Sequence, residues 1–171
     1  MKHALLSLLL IASLVAAPEA APAQTDATVV YLVRHAERHE DGTNDPPLSE
    51  AGWQRAALLA ETLRDAALTH IHTTDLKRTR GTGRPTADRT GLAMTTYDPS
   101  DLAGFATRLH ATSGRHLVLG HSNTTPELVA SLGGEPGTPI AEMEYDRLYI
   151  VTITAAGVST VLVRFGQRFE G

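Results

Sequence analysis

The sequence predicts one three-layer α/β domain: a mostly parallel central sheet with helices on both faces. Three observations predict it. Short β-branched, apolar runs alternate with stretches of helical spacing, which is the pattern of βαβ units. The runs are apolar at nearly every position, as in strands covered on both faces. The 171 residues, 42% hydrophobic and without cysteine, suit a single core that holds without disulfides.

Each element follows in order. Met1-Lys2-His3, an uncharged run from Ala4 to Ala17, and Ala21-Pro22-Ala23 have the form of a secretory signal peptide cleaved after Ala23. The run is short for a hydrocarbon core of about 30 Å. The expectation is a leader over 1–23 and one domain over 24–171, periplasmic or secreted, with no membrane contact after cleavage. Thr28 to Val33 is a buried strand. Ser49 caps a helix on which Trp53, Ala56, Ala57, Ala60 and Leu63 share a face, with Trp53 expected in the core. Thr69 to Thr73 is a short strand. The segment carrying Arg78, Arg80, Arg84 and Arg89 is a poor helix by propensity, because it contains Gly81, Gly83 and Pro85. Leu92 to Tyr97 is a strand, and Ser100 to Ala111 a helix with Leu102, Phe105, Ala106 and Leu109 inward. Arg115 to Gly120 is the next strand; Asn123 or Thr124 then caps a helix that Gly133-Gly134 stops. Leu148–Thr154 and Val158–Phe165 are strands joined around Ala155-Ala156-Gly157.

Composition removes several function classes. Fifteen Lys and Arg against 19 Asp and Glu give a net charge of −4, without the basic footprint of a nucleic-acid binder. Aromatics at 5% are too few for base stacking. Without cysteine there are no thiolate metal sites, iron–sulfur clusters or Cys nucleophiles. What remains is an acidic enzyme or small-ligand binder.

The chemistry concentrates at strand ends. Arg34-His35 closes the first strand, His121 closes the 115–120 strand, and Arg78 follows Thr73 by five residues. In an open α/β sheet, the loops at the carboxyl ends of the strands meet in one crevice, where ligands bind. Guanidinium forks suit phosphate, and a neutral imidazole can attack phosphorus. Two arginines with two histidines and no cysteine point to phosphoryl transfer through a histidine.

These motifs resemble those of the histidine phosphatase superfamily, the phosphoglycerate-mutase-like fold. Leu32-Val33-Arg34-His35-Ala36-Glu37 is similar to its Arg-His-small-Glu signature. Asp45-Pro46-Pro47-Leu48-Ser49, with Gly52 and Arg55, resembles its loop and first helix. Thr74-Asp75-Leu76-Lys77-Arg78-Thr79, with Thr82, resembles the segment of its second arginine, and Leu119-Gly120-His121-Ser122-Asn123 that of its second histidine. The resemblance implies that His35 is the nucleophile and that Arg34, Arg78 and His121 hold the phosphoryl oxygens. It also places Arg38 on the phosphate and Glu37 as a support beside His35. Here the sequence departs from the family pattern: Ser122-Asn123 follows His121, where an acid often stands. Asp98 is the preferred proton donor, with Asp101 next and Glu142, Glu144 and Asp146 as remote candidates.

The implied function is an exported phosphomonoesterase, releasing inorganic phosphate from a small phosphorylated substrate through a phosphohistidine. The alternatives are a protein that holds a phosphorylated ligand without turnover, and a phosphomutase. No cofactor is expected, and no metal: the His35/His39 and His70/His72 pairs invite one, but arginines at the site would repel a dication. No nucleic-acid partner is expected, and the oligomeric state is not legible. His110 and His116 are expected at the surface, Arg80, Arg84 and Arg89 on a solvated face, and Glu142, Glu144 and Asp146 as a charged entry to the following strand.

Overall fold

A computed structural model describes residues 27–171, so the expected leader lies outside the described residues. Six strands alternate with four helices: β1 (Thr28–Arg34), α1 (Glu50–Thr62), β2 (His70–Thr73), α2 (Lys77–Thr90), β3 (Met94–Thr96), α3 (Leu102–Ala111), β4 (Gly114–Gly120), α4 (Thr124–Ser131), β5 (Arg147–Thr154) and β6 (Gly157–Arg164). They form one sheet in the order β3-β2-β4-β1-β5-β6. The β1–β4, β2–β4 and β2–β3 pairings are parallel; β5 runs antiparallel to both β1 and β6. Register brings the end of β1 level with the end of β4, Arg34 opposite Gly120, and the His35 amide extends the ladder by donating to the Gly120 carbonyl at 2.9 Å.

Helices cover both faces, as the unbroken apolar strands require. On one face Leu59 and Leu63 of the α1 region pack with Tyr31, Val33, Ile71, Leu117 and Leu119. On the other, Phe105, Leu109, Leu128 and Val129 from α3 and α4 pack with Val30, Leu32, Val118 and Tyr149. Each fully buried Leu or Val contributes about 1.5–3 kcal/mol relative to exposure. Among the described residues no helix is long and apolar enough to cross a membrane.

Two local expectations fail, for the same reason. Trp53 is 44% exposed rather than in the core. The buried side of α1 is instead Gly52, Arg55, Ala56, Leu59 and Ala60. A Cβ at Gly52 would lie 2.0 Å from the Glu37 carbonyl oxygen, so the glycine lets α1 press against the chain leaving β1. That contact sets the helix phase and turns Trp53 outward. The poor helix former is likewise a full helix, α2, of 14 residues. Its glycines are packing surfaces: a Cβ at Gly81 would meet Leu48 at 3.0 Å, and one at Gly83 would meet Met94 at 3.0 Å and Leu119 at 3.3 Å. The Asp45 carboxylate accepts the Lys77 amide at 2.9 Å, and Gly91, at φ 72°, closes the other end. Tertiary contact thus overrides propensity.

Candidate active site

The site is assembled at the carboxyl ends of β1, β2 and β4. His35 is buried, and its Nδ1–H donates to the Ala36 carbonyl at 2.8 Å. A carbonyl can only accept, so the proton sits on Nδ1 and the Nε2 lone pair is left for the ligand. Burial holds the His35 imidazole down at about 3, with the charges of Arg34, His121 and Arg78 adding to it against the Ala36 bond. His35 is therefore neutral and nucleophilic at any physiological pH.

His121 faces it, the two rings edge to face at 5.5 Å between centroids. The Thr74 hydroxyl, 3.0 Å from His121 Nε2 and 2.9 Å from the Thr79 hydroxyl, fixes that ring from behind, and the Thr124 hydroxyl accepts the His121 amide at 3.0 Å. Burial, then Arg78 and Arg34, lower His121 to about 4. Thr82 ties the two halves together: its hydroxyl accepts the Ala36 amide and donates to the Arg78 carbonyl, both at 2.8 Å.

The arginines differ in how they are held. Arg34 Nη1 donates to the carbonyls of Ala141, Glu142 and Glu144 at 2.9, 2.6 and 3.1 Å, and its guanidinium lies 4.2 Å over the Tyr145 ring. Its buried Nε has no partner. Arg78 is anchored far less: its nearest carboxylate is Asp45 at 3.9 Å, and its buried Nε and Nη1 have no hydrogen-bond partner. Burial lowers both guanidinium pKa values, and each is lowered further by the charge of Arg38. Arg38 is thus close enough to share the field of the site, although its own bonds run to Glu40 at 3.3 Å and Glu142 at 3.4 Å. Buried donors without acceptors, clustered around a free imidazole nitrogen, form a ready-made cradle for an oxyanion.

Supporting groups complete the site. Glu37 is a brace: Arg55 grips both of its carboxylate oxygens, at 2.9 and 3.0 Å from Nε, and also donates to the Phe165 carbonyl at 2.9 Å. The loop that holds Arg34 is itself fixed by Arg147, which donates to Glu144 at 2.6 and 2.9 Å and to the Thr138 carbonyl at 2.7 Å. A groove of about 490 Å³, lined by Ser122, Asn123, Pro126, Pro136 and Ile140 among others, opens beside the residues that follow His121.

This geometry has known relatives. The family model of the histidine phosphatase superfamily (branch 1) matches residues 30–99, the segment carrying Arg34, His35, Glu37, Arg38 and Arg78. Over residues 30–99 the chain is thus similar to the histidine phosphatase superfamily. Along 76 residues it is 45% identical to a Yersinia pestis protein named "Probable phosphoglycerate mutase GpmB"; the match takes in 41% of this chain and 35% of the length of that relative. The solved structure of the protein histidine phosphatase SixA complexed with tungstate has a TM-score of 0.65 at 20% identity, covering 79% of this chain and 94% of that one. A mycobacterial glucosyl-3-phosphoglycerate phosphatase has a TM-score of 0.62 at 14% identity, covering 81% and 98%. At such identities these structures establish the fold, including the stretch beyond residue 99 that holds His121.

Within this histidine phosphatase fold, Arg34, His35, Arg78 and His121 come together, with Arg38 at the rim and Glu37 behind. The acids expected to protonate the leaving group do not join them. Asp98 is exposed, and its Oδ1 accepts the Ser100 amide and hydroxyl at 2.8 and 2.7 Å. Those bonds hold its carboxyl below the usual carboxylate range, the reverse of what a donor needs. Asp101 caps α3 through Gly104 at 2.9 Å. Glu144 and Asp146 stand at the entry to β5, both buried, and Arg164 donates to each at 2.6 Å. Although burial pushes Glu144 up, the bonds from Arg147, the Ala141 amide and Arg164 bring it down to about 2. Sequence reading missed Thr74 as the prop of His121, Tyr145 beneath Arg34, and the 141–144 carbonyls. None of these has a local signal; each acts through a contact from a distant part of the chain.

Proposed function

We propose that this protein is a histidine phosphatase, an exported phosphomonoesterase that hydrolyses a small phosphate ester through a phosphohistidine on His35. The observation carrying this reading is the pairing of a buried His35 whose Nδ1–H is spent on Ala36 with unpartnered donors on Arg34 and Arg78. Nε2 attacks phosphorus in line; Arg34 and Arg78 neutralise charge on the phosphoryl oxygens and His121 donates a hydrogen bond to them; water then attacks the phosphohistidine and releases inorganic phosphate. When the Thr74 hydroxyl donates to His121 Nε2, a proton on Nδ1 is available to the phosphoryl group.

The test is intact-mass measurement after rapid mixing with p-nitrophenyl phosphate and an alkaline quench. An added phosphoryl mass that vanishes in His35→Ala is expected; phosphate release without dependence on His35 overturns the reading. The match to a mutase-named relative favours a second reading, phosphate transfer between positions of one substrate, in which an isomer would form with little free phosphate. Export rests on the leader-like residues 1–23, and a mature N-terminus at Gln24 is its expected signature.

A further inference from the structure

Resting on the phosphohistidine reading above, we propose that this site cleaves phosphate monoesters and anhydrides whose leaving oxygen departs unprotonated, namely aryl, enol and acyl phosphates, and discriminates against alkyl phosphates. The chemistry of the first half-reaction is explicit. The Nε2 lone pair of His35 forms the P–N bond, the P–O bond breaks, and the leaving oxygen keeps the bonding pair. In the second half-reaction water attacks phosphorus, the P–N pair returns to Nε2, and both water hydrogens leave with dihydrogen phosphate. Without a donor at the leaving oxygen, the first half-reaction expels a free anion, so its rate follows the stability of that anion.

The carboxylates around the cradle are committed to cations or turns. Glu37 is held bidentately by Arg55, and Glu144 lies in a buried pair with Arg147 at 2.6 Å. Glu142 lies 3.4 Å from Arg38. Asp45 accepts the Lys77 amide at 2.9 Å and faces Arg78. A general acid must carry a proton and aim it at the leaving oxygen, whereas these carboxylate oxygens already accept from, or face, guanidinium and amide donors. Asp98, capping Ser100 in the open, is in the same state. His121 is turned to other work: its Nε2 meets the Thr74 hydroxyl at 3.0 Å, its ring faces that of His35 across the phosphoryl position, and burial with the two arginines lowers it to about 4. Among the described residues the Thr74, Thr82 and Thr124 hydroxyls are engaged with His121, Ala36 and Arg78, while the phenol at the site is Tyr145, whose ring lies 6.0 Å from that of His35 and beneath Arg34. Its phenol is pushed up by burial, which makes it a weaker acid still.

The deciding experiment measures kcat/KM, which reports phosphorylation of the enzyme, for substituted phenyl phosphates of graded leaving-group acidity, acetyl phosphate and glycerol phosphate, with the phosphoenzyme trapped in parallel. A steep fall with leaving-group basicity is expected, with glycerol phosphate about 10²–10⁴-fold or more below p-nitrophenyl phosphate, the factor a general acid typically supplies. Equal turnover of alkyl and aryl esters with a trapped His35 adduct overturns the proposal and leaves the phosphohistidine reading standing. No adduct and no turnover of any member overturns that reading and the proposal with it. Tyr145→Phe, Glu142→Gln and Asp98→Asn are expected to leave the slope of the series unchanged; a steeper slope in any one identifies it as the donor and overturns the proposal.

Discussion

Two histidine clusters share the strand β4 and are treated in opposite ways. At the carboxyl ends of β1 and β4, buried His35 and half-buried His121 are neutral and lie among arginines that each keep a buried donor without an acceptor. Nearer the amino ends of β2 and β4, His70, His72 and His116 stack against one another, with ring centroids 4.5 Å apart for His70 and His116 and 5.3 Å for His72 and His116. Here the nitrogens satisfy each other. His116 Nε2–H donates to the Thr112 carbonyl at 3.0 Å, which leaves Nδ1 to accept from His72 Nε2–H at 3.0 Å. Burial holds His72 at about 4, as low as His121. A depressed histidine pKa therefore does not distinguish the two; unsatisfied buried donors at strand ends do. His116, expected at the surface, is 1% exposed and belongs to this structural cluster.

The comparison predicts that the clusters exchange roles under mutation, activity for stability. The largest effect falls on His35, the proposed nucleophile: His35→Asn lowers kcat by about 10⁴-fold or more with the fold intact by circular dichroism. Next, Arg78→Ala lowers kcat/KM by about 10²–10³-fold, as loss of a transition-state donor does, yet raises Tm, because it removes two buried nitrogens that have no hydrogen-bond partner. A drop in Tm would show that Arg78 is structurally satisfied and would break the contrast. Inorganic phosphate should restore what that cradle lacks: saturating the wild type to about 100 Kd stabilises it by about 2.7 kcal/mol, and Arg78→Ala loses most of that gain in a thermal-shift titration.

The stacked cluster behaves in the reverse sense. His72→Leu leaves His116 Nδ1 without its donor and costs about 1–3 kcal/mol in urea unfolding at neutral pH, while kcat/KM stays within about twofold. The pH dependence sharpens this. His35, His72 and His121 sit at about 3, 4 and 4 in the folded chain, below the ordinary 6.5. The unfolded chain therefore binds protons first as pH falls, so the stability from keeping them neutral is complete above about 6.5 and is lost progressively toward 4 and 3. The deficit of His72→Leu should shrink between pH 7 and pH 5. The smallest effect is on the rate profile: His35, still neutral at pH 5, contributes no acid limb to kcat/KM there.

Much of this molecule is legible along the chain, for identifiable reasons. β-Branched runs place β1 and β4 to within a residue, since their faces are buried on both sides. Ser49 caps α1 as its position suggests, its hydroxyl accepting the Gly52 amide at 3.2 Å. The strand-end rule then brings Arg34, His35, Arg78 and His121 to one crevice. What failed was whatever depended on a partner far away in sequence. Trp53 carries the helical spacing of a core residue, but Gly52 against the Glu37 carbonyl sets the phase of α1. Gly81 and Gly83 lower helix propensity, but their missing side chains are what Leu48 and Leu119 pack into.

The sequence by itself determined the α/β class, the order of elements and which four residues, Arg34, His35, Arg78 and His121, meet at one crevice, because strand periodicity and strand-end position are local properties. Only the tertiary structure decided the charge state and use of each polar group. Asp98 and Glu144 are both acids near strand ends, yet one caps a turn in solvent and the other is locked between Arg147 and Arg164. His35 and His72 are both buried imidazoles, yet one keeps a free lone pair among cations and the other gives its proton to a neighbouring ring. Burial and hydrogen-bond partners across the fold set these states, because desolvation and pairing depend on what surrounds a group rather than on what precedes it in the chain.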